Sequence, residues 1–208
     1  MDIALSAGVF IICAWFCARF LRCSPSPRRH ALDKCVPSAA CFALSLYSLF
    51  SASPYSAWRV LLCAGLFVCA LGDWVLEFHF IPGAALFASA HLCFASAFVA
   101  LGGFAPNILC IVLLPVVLCA VFVRFMLKSA RLGSAALYLI YIAAISLMTA
   151  YAANCAALFL IGALLFVLSD SILGLRIFGR IKGKYLSYLI MISYYLALYL
   201  FALGSLYG

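Results

Sequence analysis

Long apolar segments separated by short polar ones run through almost the whole chain. Each segment is close to the roughly 20 residues that an α-helix needs to cross the hydrocarbon core of a bilayer. Backbone polar groups in lipid must be satisfied within the segment itself, so each segment is predicted to be a helix. The pattern predicts eight membrane spans, at about residues 3–22, 35–52, 57–79, 82–103, 106–127, 133–152, 154–177 and 185–206.

The prolines qualify this pattern. Pro37, Pro82 and Pro106 fall near the predicted starts of their helices, where a missing backbone N–H costs little. Pro115 falls inside the fifth span and is predicted to kink it.

Composition supports a membrane protein: 70% of the residues are hydrophobic and only 9% are charged, against roughly 25% charged in a soluble domain. The gaps between spans are too short for a soluble domain, so the prediction is an all-α polytopic membrane helix bundle with residues 1–208 as a single transmembrane domain. Asp2, rather than a basic region, precedes the first segment, which is therefore predicted to be a span and not a cleaved signal peptide.

Positive charge is distributed unevenly between the loops. Of the 13 Lys and Arg residues, only Arg59 falls beside an even-numbered loop. By the positive-inside rule the odd-numbered loops are cytoplasmic and both termini lie outside. With no organellar targeting segment visible, a bacterial inner membrane is the default location. The other twelve basic residues surround loops one, five and seven: Arg19, Arg22, Arg28, Arg29, Lys34, Arg124, Lys128, Arg131, Arg176, Arg180, Lys182 and Lys184.

The formal net charge of +8 does not indicate a nucleic-acid partner, because the charges lie in short loops beside spans. Anionic lipid headgroups are the expected partner, and no protein partner is indicated. The 11 cysteines are scattered through apolar segments without a CxxC pair. Their spacing fits neither a disulfide framework nor a zinc site, and they are expected to be small buried hydrophobes.

Carboxylates inside the predicted spans are the main candidates for chemistry. A charged side chain near mid-membrane costs several kcal/mol, and such residues usually face a bundle interior or an aqueous cavity. Asp73 in the third span and Asp170 in the seventh are predicted to share a depth in the cytoplasmic half. Glu77 follows Asp73 by one helical turn, on the same face and nearer the cytoplasm.

One face of the fourth span carries Gly83, Phe87 and His91 at four-residue intervals. The connection between the third and fourth spans is very short. We therefore expect the two spans to pack closely, with His91 beside Asp73.

At these residues the chain resembles the YhhN/lysoplasmalogenase family of integral membrane proteins, over most of its length. The motifs occur in order: GDWVL at Gly72–Leu76, the Gly83, Phe87 and His91 pattern, YIAAISLM with Tyr141 and Met148, GALLFVLSDSIL with Ser169 and Asp170, and MISYYLALYL with Tyr194 and Tyr195.

The chain departs from the family pattern at three places. Phe94 stands where the family usually has Tyr, Leu198 stands where Gln commonly follows the paired tyrosines, and the usual Lys-Pro appears as KCVP at Lys34–Pro37. These departures concern substrate contacts more than the acids and the histidine.

The resemblance implies hydrolysis of the vinyl ether bond of a lysoplasmalogen, which releases a fatty aldehyde and a glycerophospho-ethanolamine or -choline. It implies an ether hydrolase without metal or cofactor, with Asp73, Asp170 and His91 as catalytic residues. The substrate would be bound by Lys34, Glu77, Ser169, Tyr141, Tyr194 and Tyr195.

Two carboxylates suit this reaction, since one can protonate the alkene while the other stabilises the oxocarbenium ion and activates water. We expect Asp170 to donate the proton and Asp73, oriented by His91, to act as the base, with the reverse assignment open. Lys34 and the basic residues of loop seven would hold the phosphate.

Two other functions fit parts of the pattern. Buried acids also serve as proton relays in small membrane transporters. A zinc-dependent, ceramidase-like lipid hydrolase would use histidine and aspartate ligands. Such a site needs about three histidines at one depth, whereas His30 and His79 are predicted at or beyond the interface and only His91 within a span.

Overall fold

The computed structural model describes residues 2–22, 27–51, 56–126, 132–178 and 183–207, which form eight α-helices. All eight coincide with predicted spans, and the predicted all-α polytopic bundle is confirmed. The helices are α1 (Asp2–Arg22), α2 (Pro27–Ser51), α3 (Ala57–Phe78), α4 (Phe80–Gly102), α5 (Ile108–Met126), α6 (Leu132–Ala152), α7 (Ala157–Phe178) and α8 (Lys184–Tyr207).

Six of these helices, all except α5 and α6, are long and apolar enough over their described residues to cross a membrane. In α5 and α6 the described apolar stretches are shorter, at Leu109–Ala120 and Ala136–Ala152. The chain is therefore a multi-pass integral membrane protein.

Contacts between helix ends fix which ends lie together. At one end Lys34 of α2 meets Glu77 of α3, and Arg19 of α1 meets Asp33 of α2. We call this the basic end, where odd-numbered helices finish and even-numbered helices begin. At the opposite end Arg59 Nε of α3 donates to the carbonyl of Ser205 in α8, 3.1 Å away.

The helix order agrees with the predicted sorting of basic residues, but its orientation relative to the cytoplasm stays a prediction. Many of the side chains that carried the prediction lie outside the described residues: Arg22, Arg28, Arg29, Arg124, Lys128, Arg131, Arg180, Lys182 and Lys184.

The predicted close approach of α3 and α4 is confirmed. A single residue, His79, separates the two helices, and they pack along each other more extensively than any other described pair. A Cβ atom added at Gly83 would lie 2.6 Å from the backbone Cα of Leu76. Only glycine allows the two backbones to come this close.

One prediction about helix boundaries is wrong. Pro37 was expected near the start of the second helix, but α2 already begins at Pro27, so Pro37 lies inside it. The helix continues through the polar segment that precedes the apolar run, and hydropathy alone does not detect that extension. Pro115 lies inside α5, as predicted.

Aromatic rings fill the centre of the bundle. Phe94 and Phe98 of α4, Phe159 and Phe166 of α7 and Phe201 of α8 are all fully buried. Most neighbouring rings meet edge-on or tilted, at centroid distances such as 4.9 Å for Phe94 and Phe201, and such pairs add to the stabilisation from burial alone. This layer closes the bundle on the side of the cavity away from the basic end.

Candidate active site

A cavity of about 490 Å³ lies in the basic half of the bundle. Its wall is mostly apolar and is built from α3 to α8, with Lys34 contributed by α2. Both aspartates reach it, as their predicted shared depth requires. The polar residues of the wall are Lys34, Asp73, Tyr138, Tyr141, Ser169, Asp170, Ser171, Arg176, Ser187 and Tyr194.

Asp73 is held in the wall by two hydroxyl groups. Its side chain is buried, with the residue only 4% exposed. The Tyr194 hydroxyl of α8 donates to Asp73 Oδ2 over 2.9 Å, and the Ser38 hydroxyl of α2 donates to the same oxygen. A hydroxyl can donate to a carboxylate or accept from a carboxylic acid, so these partners suit both protonation states of Asp73.

Ser38 is a site residue that the sequence interpretation missed. It is fully buried and does not line the cavity, and its hydroxyl lies between Asp73 Oδ2 and, at 3.3 Å, the backbone carbonyl of Lys34. One serine among several in an apolar helix gives little signal. Its spacing of one turn from Lys34, which does line the cavity, was the only hint in the sequence.

Asp170 has a different set of partners. The Tyr141 hydroxyl of α6 donates to Asp170 Oδ2 over 2.5 Å, and His91 Nε2 of α4 lies 3.2 Å from the same oxygen. His91 Nε2 is also 3.2 Å from the Tyr141 hydroxyl. Side chains of α4 and α6 therefore meet at one carboxylate oxygen of α7.

The predicted contact between His91 and Asp73 is wrong. The hydrogen bonds of His91 go to α6 and α7, and its other ring nitrogen, Nδ1, is buried without a hydrogen-bond partner among the described residues. The rotation of α4 turns the imidazole away from α3, although the two helices are neighbours. Because a buried N–H without an acceptor is rarer than an under-used acceptor, we assign the imidazole proton to Nε2, where it points at Asp170.

An aromatic layer joins the two halves of the site. The ring of Phe166 packs edge-on against His91 at 4.8 Å and against Tyr194 at 5.4 Å. On its far side Tyr194 meets Phe87 at 5.8 Å. Tyr194, a partner of Asp73, and His91, a partner of Asp170, thus pack against the same ring of Phe166. This shared packing limits how far the two aspartates can move relative to each other.

Glycine makes room for this layer next to Asp73. A Cβ atom added at Gly72 would lie 3.0 Å from the Phe87 ring. Gly72, the glycine of the GDWVL motif, therefore leaves room for the Phe87 ring, which packs against Tyr194.

The rim of the cavity carries the charged residues. Lys34 Nζ forms a 2.7 Å ion pair with Glu77, and both side chains are mostly buried. Lys34 lines the cavity, whereas Glu77 lies behind it. Arg176, near the end of α7, is an exposed member of the wall.

The remaining predicted substrate-binding residues have different positions. Tyr141 and Tyr194 line the cavity, as does Ser169, whose hydroxyl is also tied to the Ile190 carbonyl of α8 at 3.1 Å. Tyr195 does not line the cavity: its hydroxyl donates to the Lys34 backbone carbonyl over 3.3 Å and so supports the rim from behind.

A metal ion would need a cluster of His, Cys, Asp or Glu side chains as ligands. Within the described ranges no three His, Cys, Asp or Glu side chains gather closely enough to hold an ion. His79 is exposed between α3 and α4, and the side chain of His30 lies outside the described residues.

The carboxylate oxygens of Asp73 and Asp170 determine which proton transfers the site can perform. In each aspartate the hydrogen bonds named above meet at Oδ2, and both residues also line the cavity. Two carboxyl groups on one apolar wall can act as proton donor and proton acceptor towards a ligand between them.

The sequence was compared with protein families, curated proteins and solved structures. Residues 30–205 match the profile of the YhhN family. The search of the curated proteins and the search of the solved structures gave no match.

Proposed function

The chain belongs to the YhhN family, and from the paired aspartates of its cavity we propose that it hydrolyses the vinyl ether bond of lysoplasmalogens. The substrate is a lysophospholipid with an alkenyl chain and an ethanolamine or choline headgroup. The products are a fatty aldehyde and a glycerophospho-alcohol. The observation that carries the proposal is that Asp73 and Asp170 share the wall of one apolar cavity.

The reaction needs a proton on carbon, which is the difficult step. The carboxylic acid of Asp73 gives its proton to the outer alkene carbon, and the electrons of the double bond form the new C–H bond. Positive charge then develops at the carbon bonded to the ether oxygen. The two carboxylates flank this oxocarbenium ion and stabilise it in a cavity whose wall is mostly apolar.

Water completes the hydrolysis. As its oxygen bonds to the cationic carbon, the carboxylate of Asp170 takes a proton from it, and a hemiacetal results. The hemiacetal then loses its hydroxyl proton to Asp73, while Asp170 returns its proton to the departing glycerol oxygen. The C–O bond breaks, the aldehyde forms, and both aspartates regain their starting states.

Hydrogen bonding supports this proposed assignment of roles. The residue oriented by His91 was expected to be the base, and the structure pairs His91 with Asp170 rather than Asp73. With its proton on Nε2 the imidazole donates to Asp170, an arrangement that suits a proton acceptor because a carboxylate can only accept hydrogen bonds. The hydroxyl partners of Asp73 accommodate the neutral acid as well as the anion. The roles are therefore the reverse of those first expected from the sequence.

Charge at the rim fits the polar part of the substrate. Lys34 and Arg176 supply positive charge for the phosphate, and the guanidinium group of Arg176 can bind it through two parallel hydrogen bonds. Glu77 holds the Lys34 amine in position through their ion pair. The apolar wall then accommodates the alkenyl chain.

The direct test is aldehyde release by the purified protein from an alkenyl lysophosphoethanolamine in D₂O. We expect a free fatty aldehyde that carries one deuterium on the carbon next to the carbonyl, because that carbon receives the catalytic proton. The saturated alkyl ether analogue is the matched control and should stay intact. The authentic aldehyde, incubated in the same buffer, corrects for exchange.

The same assay separates the alternatives. A transporter would release no aldehyde from any alkenyl lipid, and that result would contradict the proposal. A zinc hydrolase would lose activity on chelation and regain it with Zn²⁺. We expect activity to survive prolonged chelation.

A further inference from the structure

One side of the cavity is closed only partly, between α5 and α7. The α5 wall consists of Val117 and Leu118, and the facing part of α7 includes Ser171, Gly174 and Leu175. Within the described residues α5 packs mainly on α6 and makes little contact with α7. We call these five residues and the gap between them the α5/α7 slot.

Exposure of the slot residues shows what the slot faces. Val117 lines the cavity and is nevertheless 56% exposed, whereas Leu118 next to it is partly buried against Ile142 of α6. A side chain that belongs to the cavity wall and also to the outer surface of a membrane helix marks an opening towards lipid. Leu175 on the other side of the slot is half-buried.

Small residues on α7 leave space on that side of the slot. Ser171 and Gly174 are one turn apart and both line the cavity. The hydroxyl of Tyr138 from α6 occupies the space that a Cβ atom at Gly174 would need. A larger residue at position 174 would therefore collide with Tyr138, which lines the cavity.

The slot is apolar, while the charged rim lies at the basic end. A phosphate carries charge that apolar surroundings do not compensate, so it would not pass through the slot. An aliphatic chain gains free energy from every methylene group that leaves water, and it loses none on passing from lipid into an apolar slot. The geometry thus separates a site for the chain from a site for the headgroup.

Resting on the proposed function, we infer that the α5/α7 slot is the lateral opening through which the long alkenyl chain of the substrate reaches the cavity from the bilayer. The chain lies along Val117 and Leu175 while the headgroup stays at the rim near Lys34 and Arg176. The ligand class is a single-chain lysolipid.

Obstruction of the slot tests the inference. Val117→Trp and Leu175→Trp place a large ring in it. The matched controls are Val116→Trp on α5 and Leu168→Trp on α7, which are 61% and 46% exposed and do not line the cavity. We expect the slot variants to raise KM roughly tenfold for a long alkenyl chain, because a ring that fills the slot would leave the chain overpacked against it. Neither slot variant should change KM for a short-chain vinyl ether, and the controls should change neither value.

A second measurement on the unaltered protein does not depend on turnover. A non-cleavable alkyl ether lysolipid with a diazirine at the far end of its chain is photolysed in nanodiscs, and the labelled peptides are identified. Labelling concentrated on residues 113–120 and 168–175 is expected. Labelling elsewhere, together with normal long-chain KM in both slot variants, would overturn the slot. Labelling of the slot without aldehyde release from any alkenyl lipid would instead contradict the proposed hydrolysis and leave the slot supported.

Discussion

Asp73 and Asp170 are the same residue type in the same cavity, yet their partners separate them chemically. Asp73 accepts hydrogen bonds from two hydroxyl groups, Ser38 and Tyr194. Asp170 accepts from a hydroxyl group and lies beside the nitrogen of His91. Carboxyl groups with different environments are how enzymes assign acid and base roles to like residues.

Ser38 offers a clean test of positioning, because it contacts Asp73 but not the cavity. Ser38→Ala removes one of the two donors and leaves Tyr194 as the remaining hydroxyl that orients the carboxyl group. Asp73 becomes a carboxylate as it gives up its proton, and a hydrogen bond to a charged group is worth about 1.5–3 kcal/mol, so kcat is expected to fall roughly tenfold or more while KM for the alkenyl lysolipid stays near its normal value.

Thr at position 38, which keeps the hydroxyl group, should restore most of the kcat lost in Ser38→Ala. Ser45→Ala is the control, since Ser45 is a buried serine of the same helix that does not line the cavity. Equal kcat values for Ser38→Ala and Ser45→Ala would show that Ser38 does not position the acid.

Among the helices, the α3–α4 pair brings Gly72 of α3 against Phe87 of α4, and Leu76 of α3 against Gly83 of α4. The packing of these two helices fixes the position of the Phe87 ring, which packs against Tyr194. The pair therefore links a structural glycine to the geometry of the site.

Gly83→Ala is expected to force these two helices apart, because the new Cβ atom would meet the Leu76 backbone rather than a movable side chain. Overpacking of this kind typically costs about 1–3 kcal/mol, so the melting temperature in detergent should fall clearly. Gly8→Ala in α1 is the control, since a Cβ atom there meets nothing within 4 Å. It should leave the melting temperature unchanged or raise it, because alanine favours the helix by about 0.5–1 kcal/mol. Equal melting temperatures for the two variants would contradict the close approach.

Helix positions were predictable because the length of an apolar run is dictated by bilayer thickness. The partner of His91 was not, because it depends on the rotation of α4 against α6 and α7, which neighbours in sequence do not specify. Ser38 was missed for a related reason: α2 returns to the site from a distant part of the chain. Long-range contacts of this kind leave little trace in local spacing.

For the bundle as a unit, the sorting of basic residues along the sequence predicts its orientation in the membrane. Single cysteines at positions 26 and 182, both outside the described residues, are introduced on a cysteine-free background. The positive-inside rule predicts that a membrane-impermeant thiol reagent reaches them only from the cytoplasmic side. Labelling from the outer side in intact cells would reverse the assignment of the basic end. A cysteine at the exposed position 104, in the loop between α4 and α5, is the control and should react from outside.

The location of the cavity gives that orientation a functional consequence. If the basic end faces the cytoplasm, the glycerophospho-alcohol leaves on that side while the aldehyde stays in the lipid. Under the proposed hydrolysis, the bundle would therefore separate a polar product from an apolar one at the place where both form.

The decisive measurement is the rate of aldehyde release by Asp73→Asn and Asp170→Asn, compared with the unaltered protein and with Asp33→Asn. Asn keeps the size of Asp but cannot transfer the proton, a step worth typically ~10²–10⁴-fold. Asp33 is the matched control, a buried carboxylate that pairs with Arg19 and does not line the cavity. Thermal melting in detergent confirms that each variant is folded. Turnover is predicted to fall by about two to four orders of magnitude in both site variants and to stay near normal in Asp33→Asn. Near-normal turnover in a folded Asp73→Asn or Asp170→Asn variant would contradict the acid/base pair.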